Sequence, residues 1–323
     1  MQISNIGNNL ISPKYIMISN QSEIHHIAIG TFGLGAERKE EWTEKSTSDS
    51  GTNNDELNAL MTAFTAGQNY IETSFIYAGG ETMKFLATFF QQIPREEIFI
   101  TTKLEKFIER EEDIEIQLDK YLDLMGLTYV DALILHAPSI SKLPLLETYQ
   151  AMRSMVEKGK ARHLSASNLS LEQVKNLTEN GIKLFSIETL YNLECKIHED
   201  TGFLKYCKDH NIMVVCYQPL RRNRTAKRNY PLLVELAEKY NKTQNQILIH
   251  RITKHKKLHA LIKASTPEHV KENIASLDVE IDEQDLKRLD DFRSIEFDAI
   301  ADQIDREDTG KSFPIYKYAN QFD

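Results

Sequence analysis

The sequence predicts a single-domain α/β protein in which eight parallel strands and their connecting helices close into a (β/α)8 TIM barrel. Short β-branched or apolar runs occur eight times, and each is followed by a segment with helical spacing. Strict alternation of strand and helix implies parallel strands with right-handed crossovers. An open doubly wound sheet is the alternative, but no GxGxxG motif follows the first strand. The length of 323 residues allows one large barrel domain.

The eight strand candidates come in order along the chain. They are HIAIGTF (26 to 32), YIETS (70 to 74), IFITTK (98 to 103), VDALILH (130 to 136), HLSAS (163 to 167), FSIETL (185 to 190), MVVCYQ (213 to 218) and HALIK (259 to 263). Amphipathic segments with three and four spacing lie between them, among them DELNALMTAFTAG, IEIQLDKYLDLMG, LLETYQAMRSMVEKG and PLLVELAEKYN. This spacing predicts helices that cover the strands.

We assign residues 1–323 to one domain with a core at about 24–293, an N-terminal extension at 1–23 and a C-terminal tail at 294–323. Residues 36 to 56 are polar and predict a long loop after the first strand, and 281 to 294 predict a last amphipathic helix. The dense basic run RRNRTAKR (221 to 228) follows the seventh strand. It is either a solvated loop or a flap that faces a phosphate.

Composition excludes several classes of protein. A formal charge of -9 opposes nonspecific attraction to nucleic acid or anionic lipid. Three cysteines without a CxxC pair suit a reducing compartment. No run approaches the roughly 20 apolar residues of a membrane span, and the N-terminus lacks a signal-peptide pattern. We therefore expect a cytoplasmic protein with no nucleic-acid or membrane partner and no metal, whose oligomeric state does not follow from the sequence.

Side chains that can take part in catalysis lie at the predicted strand ends. In a barrel these ends meet at one mouth, where active sites form. The second strand is followed by Glu72 and Tyr77, the third ends at Lys103, and the fourth ends at His136. The later strands carry Ser167 with Asn168, Glu188 and Tyr217. Each residue alone is more often structural, but their joint placement at one rim predicts a catalytic site.

The ordered motifs resemble the aldo-keto reductases, NADPH-dependent enzymes on a TIM barrel that reduce aldehydes and ketones. The resemblance covers roughly residues 24 to 293. It is carried by IGTFGLG, YIETSFIYAGGE, ITTKL, DALILHAP, LSASNLS, YNL, VCYQPL and IKASTPEHVKEN, in this order and at the family's spacing. An unrelated TIM-barrel enzyme would require that order to be a coincidence.

By position, the resemblance implies a catalytic tetrad of Glu72, Tyr77, Lys103 and His136. Tyr77 would donate a proton to the alkoxide that forms when a carbonyl accepts a hydride, and Lys103 would stabilise the phenolate left behind. Glu72 would hold Lys103 charged. His136 would orient the carbonyl and hydrogen-bond its oxygen.

The resemblance also implies a cofactor site for NADPH, with NADH the weaker alternative. Ser167, Asn168 and Glu188 would hold the nicotinamide carboxamide, and Tyr217 would stack on the ring. Lys263 would meet the 2′-phosphate. On the adenine side the matching residues are Glu272 and Asn273.

Several positions depart from the family pattern. Glutamates stand at 72 and 188 where the family has aspartate and glutamine, and the phosphate pocket changes at 264 and 269. The other departures are Gln218 for a serine and Arg221 for a glycine. We therefore retain a second hypothesis beside the carbonyl reductase, a noncatalytic NADPH-binding redox sensor or regulatory subunit. The loops that would shape the substrate pocket are mixed in composition, so they predict no particular carbonyl substrate.

Overall fold

The computed structural model describes residues 15–17, 23–35, 53–105, 107–255 and 257–294. Its ten strands are β1 (Tyr15–Met17), β2 (Glu23–His25), β3 (Ile27–Gly30), β4 (Tyr70–Glu72), β5 (Phe99–Leu104), β6 (Val130–Leu135), β7 (Ala161–Ser167), β8 (Leu184–Leu190), β9 (Met213–Tyr217) and β10 (Leu258–Ile262). Strands β3 to β10 form a closed parallel barrel in chain order, in which β10 pairs with β3. The predicted barrel is confirmed, and the open sheet is not observed.

Helices cover the outside of the barrel, as the alternating pattern predicts. Within the described ranges they are α1 (Asn53–Thr65), α2 (Glu81–Phe90), α3 (Glu112–Met125), α4 (Leu145–Glu157), α5 (Leu171–Glu179), α6 (Ile197–Asp200), α7 (Phe203–Asp209), α8 (Arg224–Lys227), α9 (Pro231–Lys239), α10 (Gln244–Thr253), α11 (Pro267–Ile274) and α12 (Glu283–Asp291). Four short 3₁₀ turns lie at Tyr77–Gly80, Arg95–Glu97, Pro138–Ile140 and Ala275–Asp278. None of the described helices is long and apolar enough to cross a bilayer.

Two short strands, β1 and β2, pair antiparallel before the barrel, and the sequence did not predict this pair. Ile24 on β2 joins the apolar cluster that contains Ala28 and Tyr70. The next residue, His25, receives a hydrogen bond from the Ile27 amide through its ring. These contacts join β2 to the first barrel strands.

The main core lies between the strands and the helices, where apolar side chains from both layers are almost fully buried. A smaller cluster contains buried side chains from seven strands, among them Tyr70, Phe99, Ala132 and Val215. This arrangement leaves the polar residues at the strand ends facing a common mouth, which is the basis of the site described next.

Some sequence predictions meet limits here. The predicted loop at 36 to 56 is wrong for its last four residues, because α1 begins at Asn53. Residues 36–52, including Trp42, lie outside the described residues, as do 295–323 of the predicted tail and most of the extension at 1–23. The predicted last helix is present as α12. The assignment of 1–323 to a single domain stays a prediction.

Candidate active site

A cavity of about 820 Å³ opens at the C-terminal ends of the barrel strands. All eleven candidate residues line it, namely Glu72, Tyr77, Lys103, His136, Ser167, Asn168, Glu188, Tyr217, Lys263, Glu272 and Asn273. Ligand sites of this size are common for small molecules and cofactors. The structure thus brings every candidate to one cavity, while the role of each stays a prediction.

The turn after β4 positions Tyr77. It contains three successive residues with positive φ, Ala78 at 52°, Gly79 at 65° and Gly80 at 98°. A side chain at Gly80 would approach the ring of Phe75 to 2.9 Å, so both the backbone and the space there require glycine. This reversal buries the Tyr77 side chain at the cavity floor, where the ring of Phe32 packs edge-on with centroids 5.1 Å apart.

Glu72, Tyr77 and Lys103 form one hydrogen-bonded cluster. The Tyr77 hydroxyl donates to Glu72 Oε1 at 2.6 Å, and Lys103 Nζ donates to the same oxygen. Lys103 Nζ also lies 3.1 Å from the Tyr77 hydroxyl oxygen. The extra methylene of Glu72 relative to an aspartate therefore places its carboxylate on both partners, so the phenol proton points at Glu72 in this arrangement.

A second carboxylate contacts the same ammonium. Glu188, which pairs with Ser167 across β7 and β8, places Oε2 3.0 Å from Lys103 Nζ. This is close enough for an ion pair, although the two groups are not aligned as a hydrogen bond. The other oxygen, Oε1, is buried and has no hydrogen-bond partner among the described residues. The sequence indicated Glu188 as a carboxamide ligand and gave no sign of its contact with Lys103.

Burial and neighbouring charge shift the pKa of each member of the cluster. Burial lowers the pKa of Lys103, but the carboxylates of Glu188 and Glu72 together raise it well above its ordinary value. Burial, then the charge of Glu72, raises the pKa of the Tyr77 phenol well above 10, against the opposing effect of Lys103. Burial also raises the pKa of Glu188 to about 7, although Lys103 lowers it. At neutral pH the lysine is charged and the phenol keeps its proton.

His136 contacts a carboxylate that the sequence analysis missed. Its Nδ1 lies 3.2 Å from Oε1 of Glu105, whose side chain is only 1% exposed. Glu105 also accepts hydrogen bonds from the Ser74 hydroxyl and from the Ile76 amide, at 2.7 Å for the amide. Glu105 thus joins His136 to the turn that carries Tyr77. Its position two residues after Lys103, just past the end of β5, was the available signal.

The wall beside the floor contains Asn168 and Tyr217. Asn168 has a φ of 58° and donates from Nδ2 to the His136 carbonyl at 3.0 Å. Its Oδ1 accepts from the Tyr217 hydroxyl at 2.8 Å. Ser167 is buried at the end of β7. These contacts hold the Tyr217 ring against the cavity, where it offers a flat apolar surface next to the Lys103 cluster.

The far end of the cavity is basic and contains a helix N-terminus. Lys263 directly follows β10, and Thr266 caps α11 by accepting from the His269 amide at 3.3 Å. Glu272 and Asn273 lie on the last turn of α11, where Glu272 accepts from the Thr243 hydroxyl at 3.0 Å. A cation beside an α-helix N-terminus is suited to bind an anionic group such as a phosphate.

The basic segment 221 to 228 was predicted to be either a solvated loop or a flap that faces a phosphate, and its residues differ in their surroundings. Arg221 is buried and ion-pairs with Glu194, so this residue is not part of a solvated loop. Arg222 and Lys227 line the cavity, and the Arg222 guanidinium lies 5.5 Å from the Phe32 ring centroid. The segment therefore contributes positive charge to the cavity, and its contact with a phosphate stays a prediction.

In the part of the chain that the structure describes, no cluster of three or more His, Cys, Asp or Glu side chains is placed to hold a metal ion.

Comparison with known proteins agrees with this geometry. The model of the aldo/keto reductase family matches residues 26–294. A Saccharomyces cerevisiae protein named NADPH-dependent alpha-keto amide reductase is 27% identical over 286 residues, covering 84% of this chain and 89% of its own. Aldo-keto reductase family 1 member A1 of Sus scrofa is 28% identical over 264 residues, covering 72% and 80%.

A solved structure extends the likeness to the fold. An aldo-keto reductase of Bombyx mori in complex with NADP superposes with a TM-score of 0.70 at 26% identity, covering 87% of this chain and 95% of its own. The family match covers most of the chain, and the curated relatives and the solved structure agree with it. This chain belongs to the aldo/keto reductase family.

Proposed function

We propose that this protein is an NADPH-dependent oxidoreductase that reduces an aldehyde or ketone to the alcohol, with Tyr77 as the proton donor. One observation carries the proposal. The buried Tyr77 hydroxyl lies at the floor of a large cavity, 3.1 Å from the ammonium of Lys103 and 2.6 Å from the carboxylate of Glu72. Family membership supports an oxidoreductase, and the cluster supports this particular proton donor.

The cavity fits a phosphorylated nicotinamide dinucleotide. It extends from the floor to Lys263 and the start of α11, and the floor offers Glu188 Oε1, a buried acceptor without a partner among the described residues. Glu188 would accept from the carboxamide, the Tyr217 ring would stack on the nicotinamide, and Lys263 would meet the 2′-phosphate. When bound, the dinucleotide supplies the hydride. The Saccharomyces cerevisiae relative named as NADPH-dependent and the Bombyx mori structure in complex with NADP support NADPH as the cofactor.

Side chains of the protein would protonate the substrate oxygen. With the carbonyl oxygen between the Tyr77 hydroxyl and the His136 ring, the phenol turns its hydrogen from Glu72 toward the substrate and donates it as negative charge develops there. The ammonium of Lys103 then stabilises the phenolate. Glu105 keeps the His136 ring in place, so that the imidazole can hydrogen-bond the same oxygen.

Replacement of the donor tests the proposal. Tyr77→Phe removes the hydroxyl alone, so turnover should fall by about 10² to 10⁴ while the dissociation constant for NADPH stays close to that of the wild type. The measurement is NADPH oxidation at 340 nm with a panel of reactive aldehydes, together with calorimetric binding of NADPH. Wild-type turnover in Tyr77→Phe would refute the assignment and would direct attention to His136.

The noncatalytic sensor stays a second candidate because one contact favours it. The Tyr77 proton is directed to Glu72, and that carboxylate raises the pKa of the phenol, which weakens it as an acid. A sensor would bind NADPH but oxidise none of it with the aldehyde panel. A large gain of turnover in Glu72→Asp, from a nearly inactive parent, would also favour the sensor because the shorter acid would free the phenol.

A further inference from the structure

The floor of the cavity carries an excess of negative charge beside its one buried ammonium. Lys103 is paired with both Glu72 and Glu188, and each of the three side chains is at most 4% exposed. When both acids are ionised, one negative charge at the floor has no counter-charge within this cluster. Glu188 is the acid whose remaining oxygen has no hydrogen-bond partner in the described chain.

Glu188 lies next to the place where a hydride has to be transferred. The reacting carbonyl oxygen would bind at the Tyr77 hydroxyl, and a hydride donor has to approach the carbonyl carbon to about 3 to 3.5 Å. Lys103 contacts Tyr77 at 3.1 Å and Glu188 at 3.0 Å, so the carboxylate and the phenol flank the same ammonium. A nicotinamide placed to react would therefore lie close to the Glu188 carboxylate.

The two oxidation states of a nicotinamide differ in charge, because the reduced ring is neutral and the oxidised ring is a cation. Building on the proposed function, we propose that Glu188 makes this protein prefer the oxidised dinucleotide over the reduced one and thereby strengthens hydride donation to the substrate. In the transfer, the dinucleotide would supply a hydride that forms a C–H bond at the carbonyl carbon, the π bond between that carbon and its oxygen would break, and the oxygen would take the Tyr77 proton. The Glu188 carboxylate would stabilise the positive charge left on the ring.

The expected size follows from the interaction of two unit charges. At a separation of several Å and an effective dielectric near 20, the attraction corresponds to roughly a tenfold to hundredfold change in the ratio of the two dissociation constants. For a two-electron couple, each tenfold preference for the oxidised form lowers the potential of the bound couple by about 30 mV. The bound reduced form becomes a stronger hydride donor by that amount.

The charge on Glu188 depends on all the ionisable groups that face it. Burial is the largest cause and raises the pKa of Glu188. Lys103 on β5 lowers this pKa, whereas Glu72 on β4 and Glu105 after β5 raise it further. Tyr70 and Tyr77 also face it, and both phenols keep their protons because burial raises their pKa values. With the pKa of Glu188 at about 7, the preference for the oxidised form should increase as the pH rises from 6 to 8.

Calorimetric titration tests the inference without any substrate. The dissociation constants for NADP⁺ and NADPH are measured at pH 6 and pH 8 on the wild type, Glu188→Gln and Glu272→Gln. In Glu188→Gln the preference for NADP⁺ at pH 8 should fall by about tenfold or more and lose its pH dependence. Glu272→Gln removes the same charge from the far end of the cavity. NADP⁺ and NADPH are identical at that end, so the ratio of their dissociation constants in this variant should match that of the wild type.

Each outcome decides the inference. An unchanged ratio in a folded Glu188→Gln at pH 8 overturns it and leaves the proposed function standing. If Glu188→Gln does not fold, the wild type alone is informative, because a ratio that does not change between pH 6 and pH 8 overturns the inference equally. If neither dinucleotide binds the wild type, the proposed function and this inference both fall.

Discussion

Neutralising Glu188 should stabilise the protein in mild alkali. Burial raises the pKa of this carboxyl from 4.5 to about 7 in the folded state, although the positive charge of Lys103 lowers it. An acid with a raised folded-state pKa binds more protons folded than unfolded, so its contribution to stability is lost as the pH rises from 4.5 through 7. The rise from 4.5 to about 7, at about 1.4 kcal/mol for each pKa unit, gives between about 3 and 4 kcal/mol as an upper limit. Because Glu188→Gln also removes the ion pair with Lys103, we expect a gain of about 1 to 3 kcal/mol at pH 8.

Urea unfolding of the wild type and Glu188→Gln at pH 5 and pH 8 measures this effect. The difference between the two proteins should be small at pH 5 and should favour the variant at pH 8. Glu238→Gln, on the exposed side of α9, removes the same formal charge and should change stability by no more than about 0.5 kcal/mol at either pH. A variant less stable than the wild type at pH 8 would refute the reasoning, because it would show that the pair with Lys103 outweighs the burial of the charge.

Three further changes test other parts of the site and fold. Lys263→Ala should weaken NADPH by about ten- to a hundredfold and leave NADH nearly unchanged in calorimetry, and equal losses would contradict a role at the 2′-phosphate. Glu105→Gln removes the anionic partner that lies 3.2 Å from the His136 ring, so turnover with the aldehyde panel should fall by about tenfold or more while NADPH affinity stays close to that of the wild type; unchanged turnover would show that Glu105 does not position His136. Burial lowers the pKa of His259 to about 3, so urea stability should fall as the pH drops below 6.5, and His259→Asn should reduce that slope by up to about 1.4 kcal/mol per pH unit.

The barrel could be predicted because its signal is repeated. Each of the eight strands is a short apolar run bounded by polar or glycine-containing turns, and the helices between them have clear three and four spacing. The pairing of β1 with β2 escaped prediction because neither strand is followed by a helical segment, so neither takes part in the repeated strand-then-helix pattern. Asn53 and Asn54 were missed for a different reason, because the polar residues at the start of α1 resemble the loop that precedes them.

The membership of the site was predictable from the same pattern, but its contacts were not. Strand ends converge in a barrel, so the order of residues along the chain is enough to bring Lys103, Glu188 and Tyr77 to one cavity. Which oxygen a carboxylate presents, and to which partner, depends on side-chain rotamers a few Å apart. The resemblance therefore implied that Glu72 holds Lys103 charged, but the sequence gave no indication that the same Glu72 oxygen accepts from Tyr77 or that Glu105 lies against His136.

Two buried glutamates, Glu72 and Glu188, contact Lys103, and their expected effects on the proposed chemistry oppose one another. Glu72 and Glu188 raise the pKa of Lys103 and keep it charged, and Glu72 also accepts the hydrogen bond of the Tyr77 hydroxyl. In the proposed mechanism the first effect would help the phenolate to form, and the second would hinder transfer of the phenol proton. Glu188 is costly at high pH because it is buried beyond what one ammonium can neutralise. A residue that lowers stability in this way is expected where a site needs the charge for its chemistry. If Glu188→Gln both gains stability at pH 8 and loses the preference for the oxidised dinucleotide, the same buried charge accounts for both effects. A gain in stability without that loss would mean that the carboxylate is a defect of packing and not part of the chemistry.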